Sequence, residues 1–374
     1  VLLVAQLKLL PTEQQANQFV ATADAFRKAC NYASAVAFDT NTRKPAGLQK
    51  LVYRTLKKDY GLGAQSACLS VRTVCAAYTT MKANNRPATK PAEFHENSAT
   101  VYDCRNFSAD IPKQTISLWT TTGRVRVAYQ QGERQQNLLA SGLWKQADLI
   151  LRDGSWFLFV SVELPDPPLV PVADFLGVDL GVANVASDSD GNLYSGQTLK
   201  NVRYRHRRLR TKLQRKGTKS AKRLLVKLSG KEYRFASWVN HNISKELVRL
   251  ASGTGRGIAL EDLTNIRNRV TARKRQRAVL HSWSFSQLRQ FVAYKAVLAG
   301  VAVVFVDPAY TSRTCSECGC RDKRNRPSQS VFHCVSCGHS GHADLIASEN
   351  IRRAAVNQPN ARNGLSVARQ SPRL

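Results

Sequence analysis

Residues 301–350 read VAVVFVDPAY TSRTCSECGC RDKRNRPSQS VFHCVSCGHS GHADLIASEN, and this stretch decides the fold. An apolar strand opens it, two matching cysteine knuckles interrupt it, and an acid, Asp344, follows the second knuckle by seven residues. Each knuckle, Cys315-Ser-Glu-Cys318-Gly319 and Cys334-Val-Ser-Cys337-Gly338, closes on a glycine that can take φ > 0 and let backbone amides turn toward sulfur. The fifteen residues between the pairs fall in the zinc-ribbon range, so Cys315, Cys318, Cys334 and Cys337 are expected to bind a structural Zn²⁺. Cys320, His333, His339 and His342 are spare donors and are not assigned as ligands. A ribbon alone is a small binding module. An acid just beyond it, at a helix start, implies that the ribbon interrupts a catalytic domain whose other acids lie elsewhere in the chain.

Upstream, FLGVDLGVANVASDSDGNLYSG contains an apolar strand carrying Asp179, a second strand, a turn at Asp190-Gly191 and a third strand. Basic helical segments follow from about 200 to 251, then the strand GIALEDL with Glu261, a helix from about 284 to 299, and a strand from Val301 to Val306. The order βββαβαβα describes an RNase H-like domain, broken only by the zinc module. An acid within an apolar strand is costly unless it is paired or bound to metal. Three carboxylates converging from separate elements suit two Mg²⁺ ions roughly 4 Å apart, which act on a phosphodiester. Asp179, Glu261 and Asp344 meet that need; salt bridges to the abundant Lys and Arg are the alternative. Asp262 adjoins Glu261, and spacing does not decide which of them faces the site. Arg313 is a candidate either for neutralising a phosphate or for holding its loop.

The amino-terminal half differs in texture. VLLVAQLKL reads as a strand rather than a signal peptide, and Pro11 to Gln15 reads as a helix start with Phe19, Ala23, Phe26, Ala29 and Cys30 at helical spacing. Helices are expected at about 46 to 58 and 64 to 84, and β-structure from about 98 to 165, with a hairpin at Asp153-Gly154. A helical lobe inserted into a small β-barrel is the economical reading, followed by a proline-rich linker from Pro165 to Pro171. The whole reads as an α+β multidomain protein.

The 374 residues carry a formal net charge of +30, concentrated between Lys200 and Arg277, where 24 Lys and Arg face 4 Asp and Glu. Such an excess repels itself unless a polyanion offsets it, so nucleic acid is the expected partner. Candidate phosphate contacts are Arg205, Arg207, Arg208, Arg210, Lys212, Arg215 and Lys216, too densely placed for one helix face. The tract Arg267 to Arg277 reads either as a lid admitting single-stranded DNA or as a solvated loop, and Trp283 as core or as a base-stacking ring. No apolar run is long enough to span a membrane, so a soluble cytoplasmic protein is expected. Of nine cysteines, Cys30, Cys68, Cys75 and Cys104 read as buried free thiols. The residues from about 358 lack apolar periodicity and are expected to be disordered.

GVDLGV, LEDL, PAYTSRTCSECG with FHCVSCG, and the D-x-x-A-x-x-N pattern from Asp344 to Asn350 resemble, in this order, the motifs of the TnpB family. Its members are RNA-guided nucleases encoded by insertion sequences. The start KLLPTEQQ followed by ACNYAS also resembles TnpB, so the similarity covers nearly the whole chain. The resemblance implies a bilobed protein, with a wedge β-barrel (residues 1–10 and 92–168) and an inserted helical recognition lobe (11–91). It further implies a RuvC nuclease domain (169–308 and 341–357), an inserted target-nucleic-acid-binding zinc module (309–340) and a tail (358–374). It implies a monomer in the bacterial or archaeal nucleoid that holds a noncoding guide RNA, reads a short flanking DNA motif, and cleaves target double-stranded DNA after displacing one strand. Departures at Ile346-Ala347 and Ser348 imply altered packing behind Asp344. A cleavage-inactive guided repressor, a transposition regulator and a DNA-joining transposase are the rival classes.

Overall fold

The computed structural model describes residues 1–168, 172–263 and 285–357 and the backbone of 362–363. The tract 267–277, Trp283 and, apart from that short backbone segment, the stretch from 358 lie outside the described residues. The chain divides into two compact units, one of Leu2–Pro165 and one of Asp166–Leu374 together with Val1.

In the first unit, β1 (Leu2–Leu10) buries alternate residues from Leu3 to Leu9, as a half-buried strand should. It leads into α1 (Glu13–Asp39) through a complete capping box: the Thr12 hydroxyl accepts from the Gln15 amide, and the Gln15 side chain accepts from the Thr12 amide. α2 (Pro45–Lys58) starts on proline and α3 (Ala64–Ala83) follows after a short turn. The three helices share a core that includes Phe26, Ala29, Ala33, Leu48, Val52, Leu56, Val71 and Val74. The remaining elements are β2 (Thr100–Asp103), β3 (Phe107–Asp110), β4 (Thr115–Thr120), β5 (Gly123–Gln130), α4 (Glu133–Ser141), β6 (Leu143–Arg152) and β7 (Ser155–Glu163).

Its seven-stranded sheet runs β2-β6-β7-β1-β5-β4-β3, with every pairing antiparallel. The barrel expected from the sequence is thus nearly closed. The end strands β2 and β3 are joined by a tight turn held by Asn106, whose side chain accepts from the Asp103 amide, instead of by a ladder between them. The Tyr102 hydroxyl, donating to the Trp119 carbonyl at 3.0 Å, fastens β2 to β4 across that gap. Sequence reading passed over β3 and α4; the first has only four residues, and the second starts at Gly132 with no side-chain cap. Cys30 and Cys75 are buried as expected, whereas Cys68 is half-buried and Cys104, in the β2–β3 turn, is exposed.

The second unit is built on β8 (Phe175–Asp179), β9 (Asn184–Asp188), β10 (Leu193–Ser195), β11 (Gly257–Glu261), β12 (Val303–Val306) and β15 (Arg362–Asn363), in the sheet order β10-β9-β8-β11-β12-β15. β8, β11 and β12 are parallel. α5 (Gln197–Lys216), α6 (Lys219–Leu228) and α7 (Lys231–Gly253) separate β10 from β11, α8 (Phe285–Leu298) precedes β12, and α9 (Ala343–Asn357) follows the ribbon hairpin of β13 (Val331–His333) and β14 (Ser340–His342).

The period of two along each strand sorts the residues between two faces. Leu176 and Val178 of β8 and Ile258 and Leu260 of β11 join Leu247, Val248, Leu288 and Val292 of α7 and α8 in one core. Phe175 and Ala259 lie on the opposite face, against Ile351 and Ala355 of α9. By the same alternation, Asp179 and Glu261 fall on the α9 side. Gly177 permits the close approach of α9: an added Cβ would lie 2.0 Å from the Ser348 carbonyl oxygen and 2.6 Å from the Arg352 amide nitrogen. Backbone meets backbone there, and neither side can yield without moving the helix. Gly177→Ala is expected to destabilise this unit by about 3 kcal/mol or more, measured as a lower denaturation midpoint.

Candidate active site and metal centre

Strand register brings the first two acids together. Leu260 of β11 pairs with Val178 of β8 in parallel, so Glu261 and Asp179 stand one step further on, at the carboxyl ends of neighbouring strands. Open α/β sheets bind ligands at that edge. Asp344 enters from the first turn of α9 on the same face. β9 clasps it: Asn184 Nδ2 donates to Asp344 Oδ2 at 2.9 Å, and Ser187 Oγ donates to its backbone carbonyl at 3.1 Å. Ser187 is the register partner of Asp179, so one strand fixes two acids relative to each other.

The second carboxylate has its own holder. Thr311 Oγ1 donates to Glu261 Oε1, and both residues are buried. Thr311 lies between β12 and the first knuckle. Its carbonyl and that of Thr314 accept from Asn350 Nδ2 of α9 at 2.8 and 2.7 Å. The asparagine of the D-x-x-A-x-x-N pattern therefore ties the base of the ribbon to the helix that carries Asp344. Asp262 does not face the site, but bonds Arg289 of α8 at 3.0 Å.

The acids repel one another. Burial first, and then the carboxylates of Glu261 and Asp344, push the Asp179 carboxyl up to about 8, against the opposing pull of Arg326 and the Leu180 amide. Burial likewise raises Glu261, with the Thr311 hydroxyl and Arg326 opposing it and Asp307 adding to it. Arg326 Nη2 lies 3.5 Å from Asp344 Oδ1, so one guanidinium acts on all three acids. It comes from the loop between the knuckles, just after a 3₁₀ turn at Lys323–Asn325. Between pH 3.8 and about 8, folded Asp179 holds a proton that the unfolded chain releases, so the site opposes folding increasingly as pH rises through that window. The protein without divalent ions is expected to lose thermal stability over this range. Asp179→Asn is expected to flatten that part of the melting-temperature profile.

The cysteines form the other centre. Cys315 Sγ lies 3.6 Å from Cys337 Sγ and Cys318 Sγ lies 3.5 Å from Cys334 Sγ, with all four sulfurs within 4.8 Å of one another. Tetrahedral thiolates at the Zn–S distance of about 2.3 Å would stand about 3.8 Å apart, so the quartet fits zinc. Gly319 and Gly338 have φ of 72° and 73°, as the knuckle reading requires, and their amides donate to the Cys315 and Cys334 carbonyls, while the amides of Ser336 and Cys337 turn toward the Cys334 sulfur. Among the described residues this quartet is the one group of three or more Cys, His, Asp or Glu ligand atoms gathered within 4.8 Å; the three acids sit further apart. Cys315, Phe332, Cys334, Ala343 and Ile346 make the ribbon's own small core, and Ile346 is one of the departures from the family pattern. Ser348, another, is buried behind the acid and donates to the Leu345 carbonyl.

The seven basic candidates are all exposed on α5, and among the described residues none has a carboxylate partner. Arg207, Arg208, Lys212, Arg215 and Lys216 line one groove of about 590 Å³ with Tyr204 and Thr211, whereas Arg205 and Arg210 do not. Asn184, Thr311 and Arg326 are site residues that sequence reasoning did not single out, and Asn350 was named there only as part of the D-x-x-A-x-x-N pattern. Arg326 is one of several cations between the knuckles, so charge pattern could not distinguish it. Arg313 stands at the loop, its carbonyl accepting from Asn325, while Arg326 carries charge to the acids.

Comparison with known proteins places the chain among characterised relatives. The family model described as "Probable transposase" matches residues 159–267, and the "Cas12f1-like, TNB domain" model matches 285–351. A TnpB-like protein of Methanocaldococcus jannaschii is 32% identical over 206 residues, which make up 51% of this chain and 73% of that one. The "CRISPR-associated endodeoxyribonuclease Cas12f1" of Sulfoacidibacillus thermotolerans is 34% identical over 218 residues, 54% of this chain and 50% of that protein. The match spans about half the length of that and a second Cas12f1 relative. A solved chain in a Cas12f1–sgRNA–target DNA complex has the same fold, with a TM-score of 0.61 over 94% of this chain and 84% of that one at 15% identity. A relative covered over most of its length, an acid-bearing sheet and a knuckle ribbon inserted before the third acid lead to one assignment: the chain belongs to the TnpB family.

Proposed function

We propose that the protein is an RNA-guided DNA endonuclease of a transposable element. The observation that carries the reading is the convergence of Asp179, Glu261 and Asp344 on one sheet edge, where burial and then the two neighbouring carboxylates raise the Asp179 carboxyl to about 8. Such crowding of carboxylates suits divalent cations, and oxygen donors suit Mg²⁺. Two Mg²⁺ ions, when bound by these acids, would supply Lewis-acid stabilisation of the attacking and leaving oxygens of a phosphodiester. Thr311 and Asn184 hold two of the acids in position, and Arg326 offsets their charge before metal and substrate arrive. Zn²⁺ on Cys315, Cys318, Cys334 and Cys337 is structural in this reading.

The seven exposed cations of α5, which have no carboxylate partner among the described residues, would hold phosphates of a noncoding guide RNA, while base pairing selects a target in double-stranded DNA. The sheet unit and its helices would serve as wedge and recognition modules, and residues 309–340 as the inserted module that contacts target DNA. The test is cleavage of a plasmid library bearing a guide-matched target beside a randomised flank. Mg²⁺-dependent cuts confined to matched plasmids support the reading. Guided binding without cleavage would instead indicate a repressor or transposition regulator, and joined strands would indicate a transposase.

A further inference from the structure

Between β12 and the first knuckle, Tyr310 adopts a left-handed backbone conformation, φ 66°, that bulky residues rarely take. Tyr310 is 50% exposed. The Arg321 guanidinium covers the ring at 4.2 Å from its centroid and has no carboxylate partner among the described residues. Arg321 is held in place by the isolated bridge it forms with Thr314. Both side chains line a cleft of about 530 Å³ with Asp307, Thr311, Asn350 and Arg353. That volume lies within the range of ligand sites, roughly 300–1,000 Å³.

We propose that Tyr310 and Arg321 form a stacking seat for one unpaired nucleobase of the DNA strand delivered to the acid cluster; the proposal rests on the nuclease reading. A planar cation over an exposed ring is a surface on which a base can stack without regard to its identity. Placement gives the seat its purpose. Tyr310 is followed directly by Thr311, which holds Glu261, and both line the cleft wall together with Asp307. Asp307 repels a phosphate at that wall and can accept from a base N–H, so the base is directed inward. Arg353, whose guanidinium already serves Glu349 and the Ser316 carbonyl, borders the same cleft. A base seated here fixes the strand a short distance from the acids and sets which phosphodiester reaches them.

The test uses the 374-residue protein with its copurifying RNA and single-stranded DNA oligonucleotides carrying 2-aminopurine at successive positions. One position is expected to be quenched on binding in the wild type and in Tyr310→Phe, with emission restored in Tyr310→Ala. At that position an abasic substitution is expected to raise KM for cleavage by roughly 5- to 100-fold in the wild type and to have no further effect in Tyr310→Ala. Cleavage without position-specific quenching, or equal quenching in Tyr310→Ala, would overturn the seat. Quenching without cleavage would count against the nuclease reading and leave the seat standing. If Tyr310→Ala lacks the wild-type thermal transition, Arg321→Ala carries the same comparison.

Discussion

Asp179→Ala is expected to lower the single-turnover rate of guided DNA cleavage by on the order of 10³-fold, since several kcal/mol of transition-state stabilisation go with the metal site. The bound RNA should be unchanged in amount and length. The expectation follows from position: Asp179 ends β8 beside Glu261 and opposite Ser187, which in turn holds Asp344. Removing this carboxylate removes the group that touches both others electrostatically. The variant should also lose the stability decline between pH 3.8 and about 8, because the proton taken up on folding is no longer there. A rate within tenfold of the wild type would place the chemistry elsewhere.

Loss of zinc is the second large effect. The ribbon's own apolar core is small, consisting of Phe332, Ala343 and Ile346 beside Cys315 and Cys334. Structural zinc contributes on the order of 10 kcal/mol in such modules, more than that core can replace. Cys315→Ser or strong chelation is therefore expected to unfold residues 309–340, seen as proteolysis within that segment. Cleavage should fall with it, because the ribbon supplies Thr311 to Glu261 and Arg326 to Asp344. In this account zinc on the four cysteines would be distant in role from the chemistry, yet it would hold two of the contacts that shape the acid cluster. Retained protease resistance and cleavage in zinc-free protein would separate the ribbon from the site.

The acids were legible in the sequence because a carboxylate in FLGVD or GIALE stands against an apolar background, and the knuckles because their spacing is rigid. The choice between Glu261 and Asp262 was not legible. It depends on the side of β11 to which each points, and only the cores on the two faces of the sheet settle that. Arg326 was hidden for a different reason, since its importance comes from a long-range approach to Asp344 and its neighbours carry the same charge. The open seam between β2 and β3 was likewise not written in strand propensity, because a four-residue strand beside a tight turn leaves little pattern to read.

Among the described residues no helix is long and apolar enough to cross a membrane, and the unpaired cations of α5 remain the strongest sign of a polyanionic partner. The most direct test of the account is therefore to purify the protein under native conditions and sequence the RNA that accompanies it. A discrete noncoding RNA of uniform length, whose guide segment directs Mg²⁺-dependent cutting to the matching DNA, is the predicted result. RNA of random length and origin, with no segment that directs cutting, would contradict it.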